Sequence, residues 1–329
     1  MSNAFSCGTV LGPYQVLTPL GRGGAATVWA ARQDGTLANV PPLVALKISS
    51  RETSFDLSFR KRFLREAALL SGIRHPHVIG VFHSGQAVTG ELFMAMEWVY
   101  GQSLHRLIAA ANRKKPVPPE LAAQLVADVA DGLEAVHRAR APDGAPLGLV
   151  HCDVSPQNIL IGIDGAVRLV DFGVASTEYQ LRSPDNKLRG KPAYMSPEQT
   201  LCSPIDQRSD LFALGVVLFE LCTGKRLFRA ASQAETIRRV RECQVPSPRT
   251  LNPNFPQGLE LIVHKALQHD PSRRFQSAGE FRDAIQSYLR SEQTIVPRAG
   301  IRSLLKRVVG PEITALEQRV RGCILALDS

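Results

Sequence analysis

Three oxygen-bearing side chains, Asp153, Asn158 and Asp171, have the types and spacing to share one reaction. They occur in His151-Cys152-Asp153-Val154-Ser155-Pro156-Gln157-Asn158 and, thirteen positions after Asn158, in Asp171-Phe172-Gly173. Phosphoryl transfer from ATP needs a carboxylate to receive a hydroxyl proton, and an amide oxygen with a second carboxylate to hold Mg2+. Asp153 suits the first role; Asn158 and Asp171 suit the metal. Ile159-Leu160-Ile161 and Val167-Arg168-Leu169-Val170, joined across Asp164-Gly165, read as a short hairpin between the two motifs.

Other elements must supply the nucleotide's remaining contacts. A strand from Tyr14 to Leu20 leads into the glycine-rich Gly21-Arg22-Gly23-Gly24-Ala25-Ala26-Thr27-Val28, and a second strand follows from Val28 to Ala31. Val44-Ala45-Leu46-Lys47 is an apolar strand ending in a cation. Phe59, Phe63, Ala67 and Leu70 then mark one face of a helix that carries Glu66, whereas Glu52 lies in the loop before it. Taken with H-x-D-x-x-x-x-N and D-F-G, these segments resemble, in order, the motifs of bacterial eukaryotic-like serine/threonine protein kinases: G-x-G-x-x-G-x-V, with Ala26 at the third glycine, and V-A-I-K.

The resemblance implies an α+β, bilobal fold, with a small antiparallel β-sheet lobe bearing one helix and a larger, mainly helical lobe. It implies ATP and Mg2+ as the groups bound, Lys47 on the α/β-phosphates and Glu66 as its ion-pair partner. Met96 would be the gatekeeper, and backbone groups of Glu97 and Val99 would meet adenine. Gly21, Gly23, Gly24, Val28, Ala45 and Leu160 complete the nucleotide set, with Asn158 and Asp171 on the metal. Further strands are expected at Val78 to Gly85 and Glu91 to Glu97, and a long helix after Pro118-Pro119-Glu120. Ser176, Thr177, Tyr179 and Ser183 fall in an activation segment. Asp210 would cap the catalytic loop's backbone, and Arg274 of Asp270-Pro271-Ser272-Arg273-Arg274 would pair with Glu198.

The likeness runs from Tyr14 to about Leu289 and divides the chain into an extension at 1–13, a kinase domain at 14–290 and a tail at 291–329. Within the domain the small lobe is expected at about 14–96, the hinge at 97–101 and the large lobe at 102–290. In the tail, Ile301, Leu304, Leu305, Val308 and Val309 form one apolar stripe, Gly310-Pro311 interrupts, and Ile313, Leu316, Val320, Ile324 and Leu327 form another. Two short amphipathic helices follow from that pattern, docking on the domain, on a second copy or on a regulatory protein. Arg298, Arg302, Lys306 and Arg307 make adsorption to a membrane the rival.

Three positions depart from the family pattern. Cys152 replaces the arginine of H-R-D, Ser155 replaces the lysine that touches the transferred phosphoryl group, and Lys191 replaces the threonine of the G-T-x-x-Y stretch. A lysine lost at one place and gained at the other suggests that Lys191 compensates for Ser155, acting as a catalytic group with Asp153, Lys47 and Glu66. An active protein kinase is the preferred reading. A nucleotide-binding pseudokinase scaffold and a small-molecule phosphotransferase are the alternatives.

Composition narrows the partners. In 329 residues the formal charge is +9, but the basic residues are scattered and no nucleic-acid motif accompanies them, so a protein substrate is expected and a nucleic acid is not. No apolar run is long enough to span a membrane and no signal pattern opens the chain, which points to the cytoplasm. Cys7, Cys152, Cys202, Cys222, Cys243 and Cys323 lack C-x-x-C pairing and read as reduced, mostly buried thiols.

Overall fold

Val44, Leu46 and Ile48 are fully buried while Lys47 between them takes the other face, the period of two that makes Leu43–Ser49 a strand. The computed structural model describes residues 5–23, 25–111, 117–172 and 190–329. They fall into two units: a smaller one of residues up to His75, Ile79–Tyr100 and Gly310–Ser329, and a larger one of Pro76–Val78 and Gly101–Val309.

The smaller unit holds β1 (Val10–Leu11), β2 (Tyr14–Arg22), β3 (Ala26–Gln33), β4 (Leu43–Ser49), β5 (Val81–Gln86) and β6 (Leu92–Met96). These form one antiparallel sheet in the order β1-β2-β3-β4-β6-β5. Tyr14, Val16, Trp29, Leu46, Ile48 and Phe93 fill its core. Two helices, α1 (Arg51–Ser54) and α2 (Leu57–Ser71), follow β4. Asp56 starts α2 by accepting the N–H groups of Ser58 and Phe59, and the helix buries Phe63, Ala67 and Leu70 as the apolar spacing requires. Glu52, expected in a loop, lies in α1.

In the larger unit β7 (Gly101–Ser103), β8 (Ile159–Gly162) and β9 (Val167–Leu169) form a small sheet. A Cβ at Gly101 would sit 1.9 Å from the Ile161 carbonyl oxygen, so only glycine permits that strand contact. The helices are α3 (Leu104–Ala111), α4 (Pro119–His137), α5 (Pro197–Leu201), α6 (Gln207–Thr223), α7 (Gln233–Glu242), α8 (Pro248–Leu251), α9 (Gln257–Ala266), α10 (Ala278–Ser291) and α11 (Arg298–Asp328). Every residue of α6 from Ser209 to Thr223 is buried, so it is this unit's central helix.

Three further expectations are corrected. The strand expected from Val78 begins at Val81, because Val78 bridges Leu169 in the larger unit instead. The tail is one helix, α11, with Pro311 inside it rather than a break at Gly310-Pro311. Proline lacks an N–H and crowds the preceding turn, but burial of Ile301, Leu304, Leu305 and Val309 before it and Ile313, Leu316 and Val320 after it outweighs that cost. Among the described residues Cys222 lies in the core, Cys152, Cys243 and Cys323 are half-buried, and Cys7 and Cys202 are exposed. Cys202 and Cys243 end α5 and α7 in left-handed conformations, positions that lie at helix ends rather than in the core.

Candidate active site

The loop preceding β8 is shaped by one buried carboxylate. Asp210, in the first turn of α6, accepts the His151 N–H through Oδ2 at 2.8 Å and the Cys152 N–H through Oδ1 at 2.8 Å. This holds Cys152 at φ +63°, a left-handed conformation that costs a non-glycine residue about 1–2 kcal/mol. Hydrogen bonds to a charged acceptor contribute about 1.5–3 kcal/mol each, so the pair of bonds wins. Gln199 adds a third restraint, donating to the Cys152 carbonyl at 3.1 Å.

His151 ties the two motifs together. Its Nε2 lies 3.2 Å from the Val170 carbonyl oxygen and its Nδ1 lies 3.3 Å from the Asp153 N–H. The ring therefore donates at Nε2 and accepts at Nδ1, the neutral tautomer, and burial pushes its pKa below the usual histidine value. Phe172 packs on the same ring, 4.5 Å between centroids, and the Val170 N–H bonds to the Asn158 carbonyl at 2.9 Å. The chain leading to Asp171 is thus fastened at adjacent points to the loop bearing Asp153.

The two oxygens of Asp153 are not equivalent. Oδ2 accepts from Asn158 Nδ2 at 2.8 Å and from Lys191 Nζ at 2.6 Å. Among the described residues no hydrogen bond to Oδ1 is formed. Gly190, at φ +99°, borders it: a Cβ there would approach Oδ1 to 3.5 Å and Met195 to 3.1 Å. With its NH2 turned to Asp153, Asn158 keeps its amide oxygen for another ligand, and with the Asp171 carboxylate it offers the hard oxygens that Mg2+ prefers.

Ser155, at the position of the missing lysine, is fully buried, and its hydroxyl has no hydrogen-bond partner among the described residues. Burial, with Asp210 and Asp153 adding to it, pushes the Cys152 thiol far up, so it stays protonated and can neither attack nor hold a phosphate. On the far side of the loop, Glu198 takes a bidentate pair from Arg274 at 2.7 and 2.9 Å.

The smaller unit carries the other expected residues. Lys47 Nζ pairs with Glu66 Oε1 at 3.0 Å, with 15% and 12% of the two side chains exposed. Cross-strand partners share a face, and the pairs Val28↔Lys47 and Ala45↔Met96 put all four side chains on one side of the sheet. Gly21 pairs with Val28, and the Gly23 N–H bonds to the Ala26 carbonyl. The Glu97 N–H bonds to the Gly80 carbonyl at 2.8 Å, so that backbone donor is already committed. Leu160 lies in β8 of the larger unit. Gly24, Gly173, Ser176, Thr177, Tyr179 and Ser183 lie outside the described residues.

Sequence reasoning missed two supports. Gln199 was detectable, since Ser196-Pro197-Glu198-Gln199 has capping-box spacing, and both of its bonds form. The cluster in which Tyr194 donates to Glu220 at 2.8 Å and Arg226 pairs with Glu220 at 2.6 Å has no local signal, because it joins three separate segments.

Comparison with known proteins gives a consistent result. A family model described as "Protein kinase domain" matches residues 14–287. The tyrosine-protein kinase MasK of Myxococcus xanthus is 32% identical over 283 residues, covering 84% of this chain and 43% of that protein. The serine/threonine-protein kinase PknJ of Mycobacterium tuberculosis is 33% identical over 297 residues, covering 88% and 47%, and PrkC of Bacillus subtilis is 31% identical over 279 residues, covering 84% and 41%. The chain therefore spans less than half the length of these curated relatives. The crystal structure of the Mycobacterium tuberculosis PknI kinase domain superimposes with a TM-score of 0.64 at 27% identity, covering 87% of this chain and 99% of that one.

Proposed function

Since the chain belongs to the protein kinase family, we propose that it transfers the γ-phosphoryl group of ATP to serine or threonine hydroxyls of protein substrates. The observation that carries this reading is the state of Asp153: one carboxylate oxygen is committed to Asn158 and Lys191, and the other takes no hydrogen bond among the described residues, which suits it to a hydroxyl proton. In this reading Oδ1 accepts the proton as the hydroxyl oxygen bonds to phosphorus and the bond from phosphorus to the ADP oxygen breaks. Lys47, oriented by Glu66, holds the α/β-phosphates. Asn158 and Asp171 would hold Mg2+, which neutralises charge on the phosphates. Gly21, Gly23, Gly24, Val28, Ala45, Met96, Glu97, Val99 and Leu160 serve the nucleoside and phosphate ends.

Lys191 takes part in catalysis. It brings an ammonium to the catalytic aspartate from outside the loop that lost one at Ser155, and one-third of its side chain is exposed to solvent. Preorganised positive charge at that place stabilises charge as it develops.

Serine/threonine preference follows the names of PknJ and PrkC, against the name of MasK. No helix among the described residues is long and apolar enough to cross a membrane, and the reading places the domain in the cytoplasm, where ATP is supplied. The pseudokinase scaffold remains the second reading, favoured by the buried serine in place of the catalytic-loop lysine.

The test is phosphate transfer from Mg2+-ATP to a generic protein substrate, with Asp153→Asn as control and phosphoamino-acid analysis of the product. Transfer that vanishes in the control supports the proposal. A wild-type chain that binds nucleotide yet transfers no more than Asp153→Asn would establish the scaffold, and phosphotyrosine alone would reverse the hydroxyl preference.

A further inference from the structure

The second half of α11 packs on the sheet face that carries the nucleotide residues. Cross-strand pairing in β3 and β4 sets Val28 opposite Lys47, Ala30 opposite Ala45 and Arg32 opposite Leu43, so these side chains share one face. Val28, Ala45 and Lys47 are assigned to the nucleotide. Ala30, Leu43 and Arg32 meet α11 instead: Leu17 and Ala30 are buried with Leu316 and Val320, and Leu43 and Leu20 pack against that cluster. Arg32 Nη1 pairs with Asp328 Oδ1 at 2.6 Å. Leu20 immediately precedes Gly21, and Cys323 donates to the Leu17 carbonyl at 3.2 Å.

The same half-helix grips both neighbours of Val99. Trp98 packs against the Leu316 and Val320 cluster, and the Tyr100 hydroxyl donates to Glu317 Oε2 at 2.7 Å. The Trp98 and Tyr100 rings meet edge to face, 5.7 Å between centroids. A residue whose two flanking side chains are both tied down has little freedom to move its backbone.

We infer that residues Ile313 to Asp328 of α11 are a positioning element for nucleotide binding, holding the backbone at Val99 and the strand entering Gly21 in place for adenine. This rests on the kinase reading above. None of these α11 residues is assigned to touch the nucleotide; they act through Leu17, Leu20, Trp98 and Tyr100. A helix that merely stabilised the sheet would change the melting temperature and leave the affinity of the folded protein for nucleotide alone.

Titration calorimetry of the full-length chain with Mg2+-ADP, beside thermal melting, separates the two. Leu316→Asp should weaken ADP about tenfold, a shift of the size that loss of a preorganised backbone contact produces. Should that variant fail to fold, Glu317→Ala and Tyr100→Phe leave the apolar cluster intact. Each should weaken ADP about two- to fivefold, as expected for a part-exposed polar pair, and the double variant no more than either single one. In kinase assays the KM for ATP should rise in step, with kcat little changed. Arg319→Ala, on the exposed side of the helix, should match wild type. Wild-type ADP affinity in folded Leu316→Asp, or in both milder variants, overturns the inference alone. A wild-type chain that binds no ADP would overturn the kinase reading itself, and this inference with it.

Discussion

Arg274–Glu198 and Lys191–Asp153 are cation–carboxylate pairs of nearly equal length, 2.7 and 2.6 Å, and their surroundings give them different work. The Arg274 side chain is wholly buried, and besides Glu198 it donates to the carbonyls of Gln268, Arg208 and His269. Its guanidinium also lies 4.8 Å from the centre of the Phe212 ring. Lys191 is one-third exposed and Asp153 one-quarter. A sealed pair with its donors used can only hold the fold. A half-open pair, with an aspartate oxygen to spare, can exchange partners with a substrate.

Removing each cation should therefore fail differently. Arg274→Ala leaves Glu198 buried without its counter-charge and should cost about 3–5 kcal/mol of stability in a denaturant titration. A loss under ~1 kcal/mol would mean that the two pairs are of one kind. Lys191→Ala should lower kcat by about 10²–10³ with the melting temperature nearly unchanged, since one preorganised electrostatic contact contributes about 2.7–4 kcal/mol to a transition state. Near-wild-type turnover would reduce Lys191 to a surface ion pair.

Acid should sharpen the contrast. Burial alone would raise the Glu198 pKa, but its hydrogen bonds and attraction to Arg274, with help from Ser209, outweigh it and hold the carboxyl below its ordinary 4.5. With the folded value depressed, the stabilisation is complete above about pH 4.5 and is lost as pH falls through the folded value. Stability measured from pH 6 to about 3 should drop on that arm, and Glu198→Gln should flatten the drop while lowering the plateau. His151 adds a loss that starts higher: buried neutral, it resists the proton that the unfolded chain accepts near 6.5. The smallest effect expected is that of phosphatase treatment. Cys152, with no charge to hold a phosphate on the activation segment, should leave turnover within about twofold of the untreated protein, and a collapse to background would show that another cation does so.

The candidate site was legible because its residue types and spacing are short-range properties of the chain. Asp153, Asn158 and Asp171 stand on one stretch of loop and hairpin, Lys47 ends an apolar strand, and Glu66 lies on a helix whose apolar face is readable from Phe63, Ala67 and Leu70. The Glu198–Arg274 pair and the Asp210 cap were also expected, although both partners are distant in sequence, because family motifs mark each end. The Arg226–Glu220–Tyr194 cluster carried no such mark.

The sequence by itself determined which residues could do phosphoryl chemistry, and that a cation was lost at Ser155 and another gained at Lys191, because residue identity and local period are properties of the chain alone. Only the tertiary structure decided that Lys191 reaches Asp153, that the Glu97 N–H is spent on Gly80, and that Gly310-Pro311 does not end a helix. Each of these depends on energy gained between segments far apart in the chain. Burial of Leu316 and Val320 against Leu17 and Ala30 stabilises a helix through a proline that local propensity would have used to stop it.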